Sequence, residues 1–344
     1  MKPKHILVIR LSAMGDVAMT IPVLHQLLQQ NPHIHLTVLT RPLFAPLFEG
    51  LARTSVHPVE IKGRHKGITG VYKLFKDLRK QYQFDAVADL HNVLRSKLIR
   101  FLFKMAGVRS AAIDKGRKEK RQLTAKVNKK LIPLKTSFQR YADVFDALGF
   151  PVVLNIAQQA LSKQEFPSSI SSLLAPHKMK ICFAPFAKHN VKMYPGEKLK
   201  SIIKDFANRD DCQVFLLGGG TEEVIALNEW EKEFEGIINL AGKYSFGEEL
   251  AIISSMDVVV SMDSANMHLA SLYGVPVVSI WGATHPYAGF YGWGQRDENV
   301  AQIDLYCRPC SVFGNKPCYR GDHACMELLP EEMIRKKINE LITE

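Results

Sequence analysis

Two periods of apolar residues alternate along the chain. Short apolar or β-branched runs at residues 5–11 (HILVIRL), 35–40, 55–61, 84–90 and 110–113 read as strands, and the segments IPVLHQLLQQ, GVYKLFKDLRKQY and LRSKLIRFLFKMAG between them carry apolar residues at helical spacing. Such alternation predicts a mostly parallel sheet covered on both faces, closed by a helix over 137–150. Residues 151–178, with their proline, serine and glutamine, read as a linker. A second series of strands follows at 179–186, 212–220, 236–242, 257–263 and 275–282, with helices near 196–209, 221–234, 246–256 and 265–273. The expectation is an α/β protein of two Rossmann-like, doubly wound domains facing a cleft, spanning 1–160 and 175–325. A last helix within 330–344 opens with Pro330 and acids, suits its dipole, and is expected to pack back on the first domain.

Composition narrows the class. A chain of 344 residues with 47% hydrophobic and 23% charged positions is an ordinary globular protein with room for two cores. No run reaches the roughly eighteen apolar residues of a membrane span. The basic start leads into a short run containing Arg10 and no small-residue cleavage site, so it reads as a first strand and the expected location is the cytoplasm. The net charge of +11 points to an anionic partner. It is concentrated in DKGRKEKRQLTAKVNKK, residues 114–130, read as a mobile basic loop that is either simply solvated or a binding element. Of six cysteines, Cys182 and Cys212 sit in strand-like runs as small hydrophobes. Cys307, Cys310, Cys318 and Cys325 have a spacing open to a structural zinc or to a loop of reduced thiols.

Ligands of open α/β sheets bind beyond the carboxyl ends of the strands, so the loops there carry the candidate chemistry. The first run leads into RLSAMGDVAMTIP, residues 10–22, where Asp16 follows Gly15. A phosphate-binding turn calls for several glycines and no negative charge. This one suits an acceptor instead, with Asp16 as general base and Arg10, Ser12 and Met14 as candidate acceptor contacts. In the second half, SMDSANMHLASLYGVPVVSIWGAT (261–284) ends a strand at Asp263 and Ser264, either of which can cap a helix near Ala265. An anion site at that helix start, with Ala265, Asn266 and His268, and an ordinary cap fit equally. FAPFAKHNVKMYPGEKL (183–199) offers Lys188 and Lys192 to a phosphate. LLGGGTEE (216–223) offers Gly219 and a carboxylate, Glu222 or Glu223, to ribose hydroxyls, with Thr221 as a helix cap. A nucleotide held by the second domain would then face Asp16, and proton removal from an acceptor hydroxyl by that carboxylate is worth roughly 10²–10⁴ in rate.

In order and spacing, SAMGDVAMTIP, VKMYP, GGGTEE and DSANMHLA followed by GVPVVSIWGATHP resemble the bacterial ADP-heptose:lipopolysaccharide heptosyltransferases, glycosyltransferase family 9. The resemblance implies a GT-B fold, inversion at the anomeric carbon, no cofactor or catalytic metal, and work on the lipopolysaccharide inner core. The enzyme would sit peripherally on the cytoplasmic face of the inner membrane. By position it assigns the base to Asp16, the phosphate lysine to Lys192, and the nucleotide-binding stretch to Asp263, Ser264, Ala265, Asn266, Met267 and His268. Ala265 stands where the family commonly has glycine, and Asn266 with Met267 alters the lining of the donor site. A phosphorylated, lipid-linked saccharide acceptor also gives Arg95, Lys97, Lys118, Lys120 and Arg121 an anionic partner. Two rival readings are a nucleotide-sugar epimerase or hydrolase of the same fold, and a basic nucleic-acid-binding protein. Against the latter, the chain shows no helix-turn-helix, zinc-finger or aromatic RNA-binding pattern.

Overall fold

A computed structural model describes residues 4–171 and 173–343. Residues 1–3 of the expected first domain, Ser172 of the linker and Glu344 of the last helix lie outside the described residues. The chain forms two compact units. Unit 1 comprises Met1–Lys115 and Lys135–Ala160, and unit 2 comprises Gly116–Leu134 and Leu161–Glu344.

Unit 1 runs β1 (Lys4–Ile9), α1 (Met14–Ala18), α2 (Thr20–Gln30), β2 (Ile34–Thr40), a 3₁₀ segment Pro42–Phe48, β3 (Thr54–Pro58), α3 (Gly67–Gln81), β4 (Ala86–Asp89), α4 (Leu94–Met105) and β5 (Arg109–Ala112). After α5 (Arg117–Leu123), which belongs to unit 2, the chain returns with α6 (Ser137–Asp146). The five strands are all parallel, in the order β3-β2-β1-β4-β5, and Ile9 stands between Leu39 and Asp89. Ile6 to Ile9 are fully buried because helices cover both faces, which is why β1 reads as a continuous apolar run and not an alternating one.

Unit 2 runs α7 (Ser168–Ser171), β6 (Met179–Ala184), a 3₁₀ turn Asn190–Lys192, α8 (Gly196–Ala207), β7 (Cys212–Leu216), α9 (Thr221–Glu233), β8 (Ile237–Asn239), α10 (Phe246–Ser254), β9 (Val258–Met262), α11 (Ala265–Leu272), β10 (Val277–Ile280), β11 (Val300–Ala301), α12 (Ala324–Glu327) and α13 (Glu331–Thr343). Its six strands are parallel in the order β11-β10-β9-β6-β7-β8. In each sheet the winding reverses beside the first strand, between β1 and β4 and between β6 and β9. Helices diverge there and open a crevice at the carboxyl ends.

Three features depart from the sequence reading. The last helix, expected on the first domain, is built into the second: Ile334 and Ile338 of α13 enter the core of unit 2, against α8, β9, β10 and β11, and Arg335 clasps Asp205 of α8 at 2.7 Å. The apolar stripe one turn apart is what seats it. The basic segment 114–130 is not a mobile loop. It forms α5, puts Lys120 Nζ 4.3 Å from the centre of the Phe290 ring, and has Lys129 Nζ donate to the carbonyls of Cys307 (2.7 Å) and Pro309 (3.0 Å). An ammonium finds a ring face and carbonyl dipoles there in place of water. Strand β11, only two residues long, carries too little pattern to be read from the sequence.

Ile338→Ala is expected to destabilise unit 2 by about 2–5 kcal/mol, the cost of a large-to-small change in a filled core. The check is the denaturant midpoint, and an unchanged midpoint would take α13 out of that core.

Candidate active site

In unit 1 the crevice is built by the loops after β1 and β4. Arg10, the first residue past β1, is nearly buried and spans both: one terminal nitrogen donates to the Leu90 carbonyl at 2.6 Å and the other pairs with Asp16 Oδ2 at 2.6 Å. Asp16 sits at the third position of α1, where its Oδ2 also accepts the Ala13 N–H at 3.3 Å, and its side chain stays 33% exposed. Tyr141 of α6 donates its hydroxyl to the Asp16 carbonyl at 3.3 Å and lies under the Arg10 guanidinium. Among the described residues, the ion pair and the hydrogen bond of the carboxylate fall on Oδ2. Ser12 and Met14 are half-buried on the same turn.

The loop after β4 supplies two residues that the sequence reading passed over. Asp89 Oδ1 accepts the N–H groups of His91 (3.1 Å) and Asn92 (2.7 Å), folding the loop tightly enough that Asn92 takes a φ of 47°. His91 Nδ1 and Asn92 Oδ1 are buried without a hydrogen-bond partner among the described residues. Burial, then the charges of Arg10 and Lys115, lower His91 to about 4, so its ring is neutral at pH 7. The legible signal was its place: DLHN directly follows a strand at the point where the winding reverses.

In unit 2 the matching loops follow β6 and β9. Lys192 Nζ pairs with Asp263 Oδ2 at 3.0 Å, with both side chains largely buried, 13% and 8% exposed. Gly314 backs the lysine stem. It has a φ of +75°, and a Cβ there would collide with Lys192 Cδ and Cγ. Ser264 is the N-cap of α11, but its hydroxyl bonds Ser261 Oγ at 3.0 Å instead of closing the helix. The first-turn N–H groups near Ala265 and Asn266 are therefore not capped by it, and an anion can take that place. His268, one turn further, is buried. After β7, the cap of α9 is Gly220 with φ +91°, not Thr221, and Glu223 Oε2 accepts the Gly219 N–H at 2.9 Å while burial raises its carboxyl above the usual range. Glu222 and Lys188 are exposed.

The family model described as glycosyltransferase family 9 (heptosyltransferase) matches residues 71–317. The chain belongs to glycosyltransferase family 9. Family 9 relatives are similar along most of its length. A lipooligosaccharide heptosyltransferase 2 of Haemophilus influenzae is 28% identical over 306 residues, 82% of this chain and 84% of that protein. A family 9 glycosyltransferase structure from Veillonella parvula superposes with a TM-score of 0.78 at 21% identity, covering 100% of this chain and 98% of the other. The E. coli heptosyltransferase WaaC, solved with ADP, gives 0.67 at 19% identity, covering 98% and 99%. This family 9 enzyme thus has the GT-B fold, and the epimerase, hydrolase and nucleic-acid readings give way to glycosyl transfer.

Several residues read as acceptor contacts of the family 9 enzyme have structural employment. Arg95 donates to the carbonyls of His65 (2.5 Å) and Ile61 (3.4 Å), and Lys120 lies over Phe290 within unit 2. Lys118 and Arg121 are exposed, also in unit 2. Cys307, Cys310, Cys318 and Cys325 are free thiols lining one small cavity with Val191, the neighbour of Lys192. Among the described residues no group of three His, Cys, Asp or Glu is arranged to hold a metal ion.

Because the His91 value is lowered on folding from an ordinary 6.5 to about 4, the unfolded chain takes up its proton first as pH falls. Its contribution to stability is full above 6.5 and is lost down to about 4. His91→Gln is expected to flatten the acid limb of a stability-versus-pH curve in that window. An unchanged limb would take His91 out of it and leave it to the other histidines lowered by burial, among them His285, held at about 4 by burial and the Arg308 charge.

Proposed function

We propose that the enzyme transfers heptose from ADP-heptose to a lipopolysaccharide inner-core acceptor with inversion, unit 2 binding the donor and Asp16 of unit 1 acting as general base. The carrying observation is the buried Lys192–Asp263 pair at the crevice of unit 2. A lysine kept there beside an uncapped helix start is a phosphate ligand held in reserve: a diphosphate, with more charge than one carboxylate, competes for its ammonium. The names of the Haemophilus relative and of the ADP-bound E. coli structure support the donor and the product class.

In the transfer, the acceptor oxygen attacks the anomeric carbon as the bond from that carbon to the donor phosphate oxygen breaks. The acceptor proton passes to Asp16 Oδ1, and the charge left on the diphosphate is met by Lys192 and the first-turn amides of α11. Arg10 and Tyr141 fix the base. An anionic, lipid-linked acceptor fits the net charge of +11, and the enzyme works as a peripheral protein at the cytoplasmic face of the inner membrane. Among the described residues no helix is long and apolar enough to cross a membrane.

Calorimetric titration with ADP, UDP, GDP and CDP is expected to show selective ADP binding, and preference for another nucleotide would redirect the donor. Asp16→Asn should lower the turnover number by roughly 10²–10⁴ with ADP affinity intact; parallel losses in both would make Asp16 a donor or structural residue. Lys192→Gln, which keeps a donor beside Asp263, should weaken ADP about ten- to a hundredfold, the worth of one charge-assisted hydrogen bond. Unchanged affinity removes Lys192 from the site.

A further inference from the structure

On two neighbouring helices of unit 1 large apolar side chains face solvent, and no step of the reaction uses them. On α4, Leu94, Phe101 and Met105 recur at helical spacing, opposite the face on which Ser96, Ile99 and Phe103 are buried, while Leu98 between them is half-buried against the core. Leu94 is 87% exposed, Phe101 57% and Met105 72%. On α3, Ile68 (77% exposed) and Tyr72 (48%) share a row of the same spacing with Phe75 and Arg79. The two helices run side by side. Arg95 at the start of α4 reaches the carbonyls of Ile61 and His65 just before α3, and further along the Phe75 ring meets Phe103 edge-on at 5.0 Å. Ile68 and Tyr72, in the row of Phe75, therefore lie on the flank of α3 that borders α4.

The charge around these rows has one sign. Helix α3 carries Lys73, Lys76, Arg79 and Lys80 against Asp77 alone, and α4 carries Arg95, Lys97, Arg100 and Lys104 with no acid. Asp77 is paired with Arg64, and Arg100 turns to Asp89. Lys73, Lys80, Lys97 and Lys104 are exposed and make no ion pair among the described residues. Lys97 and Lys104 follow Leu94 and Phe101 by three positions each, along one edge of the apolar stripe. Large exposed apolar groups in a contiguous patch mark a docking surface. An apolar row bordered by unpaired lysines is the chemistry of a helix lying in a lipid interface, its hydrocarbon at the acyl boundary and its ammonium groups among phosphates.

We propose that the α3–α4 face of unit 1 docks on an anionic phospholipid surface, with Leu94, Phe101 and Met105 entering the interface and Lys73, Lys97 and Lys104 meeting lipid phosphates. The peripheral contact is thereby assigned to this face and not to residues 114–130, where Lys120 and Lys129 are already engaged within unit 2. The inference stands apart from the donor reading.

The test floats the full chain with vesicles of phosphatidylglycerol and phosphatidylcholine, or of phosphatidylcholine alone, while ADP affinity and the melting temperature are followed for every variant. The wild type is expected to float with the phosphatidylglycerol vesicles only, and to be released by high salt. Leu94→Ser with Phe101→Ser and Met105→Ser, and separately Lys73→Glu with Lys97→Glu and Lys104→Glu, should each weaken that binding at least about tenfold, with folding and ADP affinity unchanged. Flotation of either triple variant like the wild type overturns the proposal, as does a wild type that stays with the soluble fraction. A vesicle-free dimer abolished by the serine variant would give the face to a second copy and overturn it too. Flotation as expected without ADP binding would support the surface and count against the donor reading alone.

Discussion

A parallel strand can be followed by another only through a crossover that leaves the sheet and returns, and the direction of winding must reverse somewhere if both faces are to be covered. Here it reverses once per unit, beside β1 and beside β6. That constraint decides where chemistry can be placed. Helices springing from adjacent strands part to opposite faces at the reversal, and the loops between them are firmly anchored yet open to a ligand. Arg10, Asp16, His91 and Asn92 stand on one such pair of loops, and Lys192, Asp263 and Ser264 on the other.

Each crevice sets a cation against a carboxylate, Arg10 with Asp16 and Lys192 with Asp263, and the two pairs differ in how far the cation can move. A charge out of water needs a partner, or the fold bears the desolvation cost. Arg10 meets that need with a planar fork that grips the Leu90 carbonyl and the Asp16 carboxylate together. It has no freedom to leave, and it braces the acid. Lys192 is a single ammonium on a flexible stem, held by Asp263 and given room by Gly314. It can exchange one anion for another while its stem stays in place. A fixed cation beside Asp16 and a movable one beside Asp263 follow from the geometry of the two side chains.

Much of this was legible from the residues. Long buried strands declare themselves by continuous apolar runs, so both sheets were readable, and Asp16, Lys192 and Asp263 stood out because they follow such runs. What was not legible depends on contacts distant in sequence. That α13 joins unit 2 rests on which sheet its Ile334 and Ile338 reach, and the helix pattern alone fits either. The basic stretch looked like a mobile loop because it has little apolar periodicity; Phe290 and the Cys307 carbonyl, far along the chain, give Lys120 and Lys129 a place. Gly314 has no motif around it, and its purpose appears only when the Lys192 stem lies against it. His91 and Asn92 fall in no motif, and the burial of their Nδ1 and Oδ1 exists only in the folded loop.

The division of the chain has a consequence for its birth. The polypeptide passes between units three times, after residues 115, 134 and 160. Unit 1 thus lacks α6, and the Tyr141 hydroxyl that steadies Asp16 from 125 residues away, until its second segment has left the ribosome. The segment 116–134 waits far longer, because Lys129 finds the Cys307 carbonyl only 178 residues later. At the pace of translation that is on the order of ten seconds or more in which a strongly basic ribbon lacks the Phe290 ring and the Cys307 carbonyl that later hold its lysines.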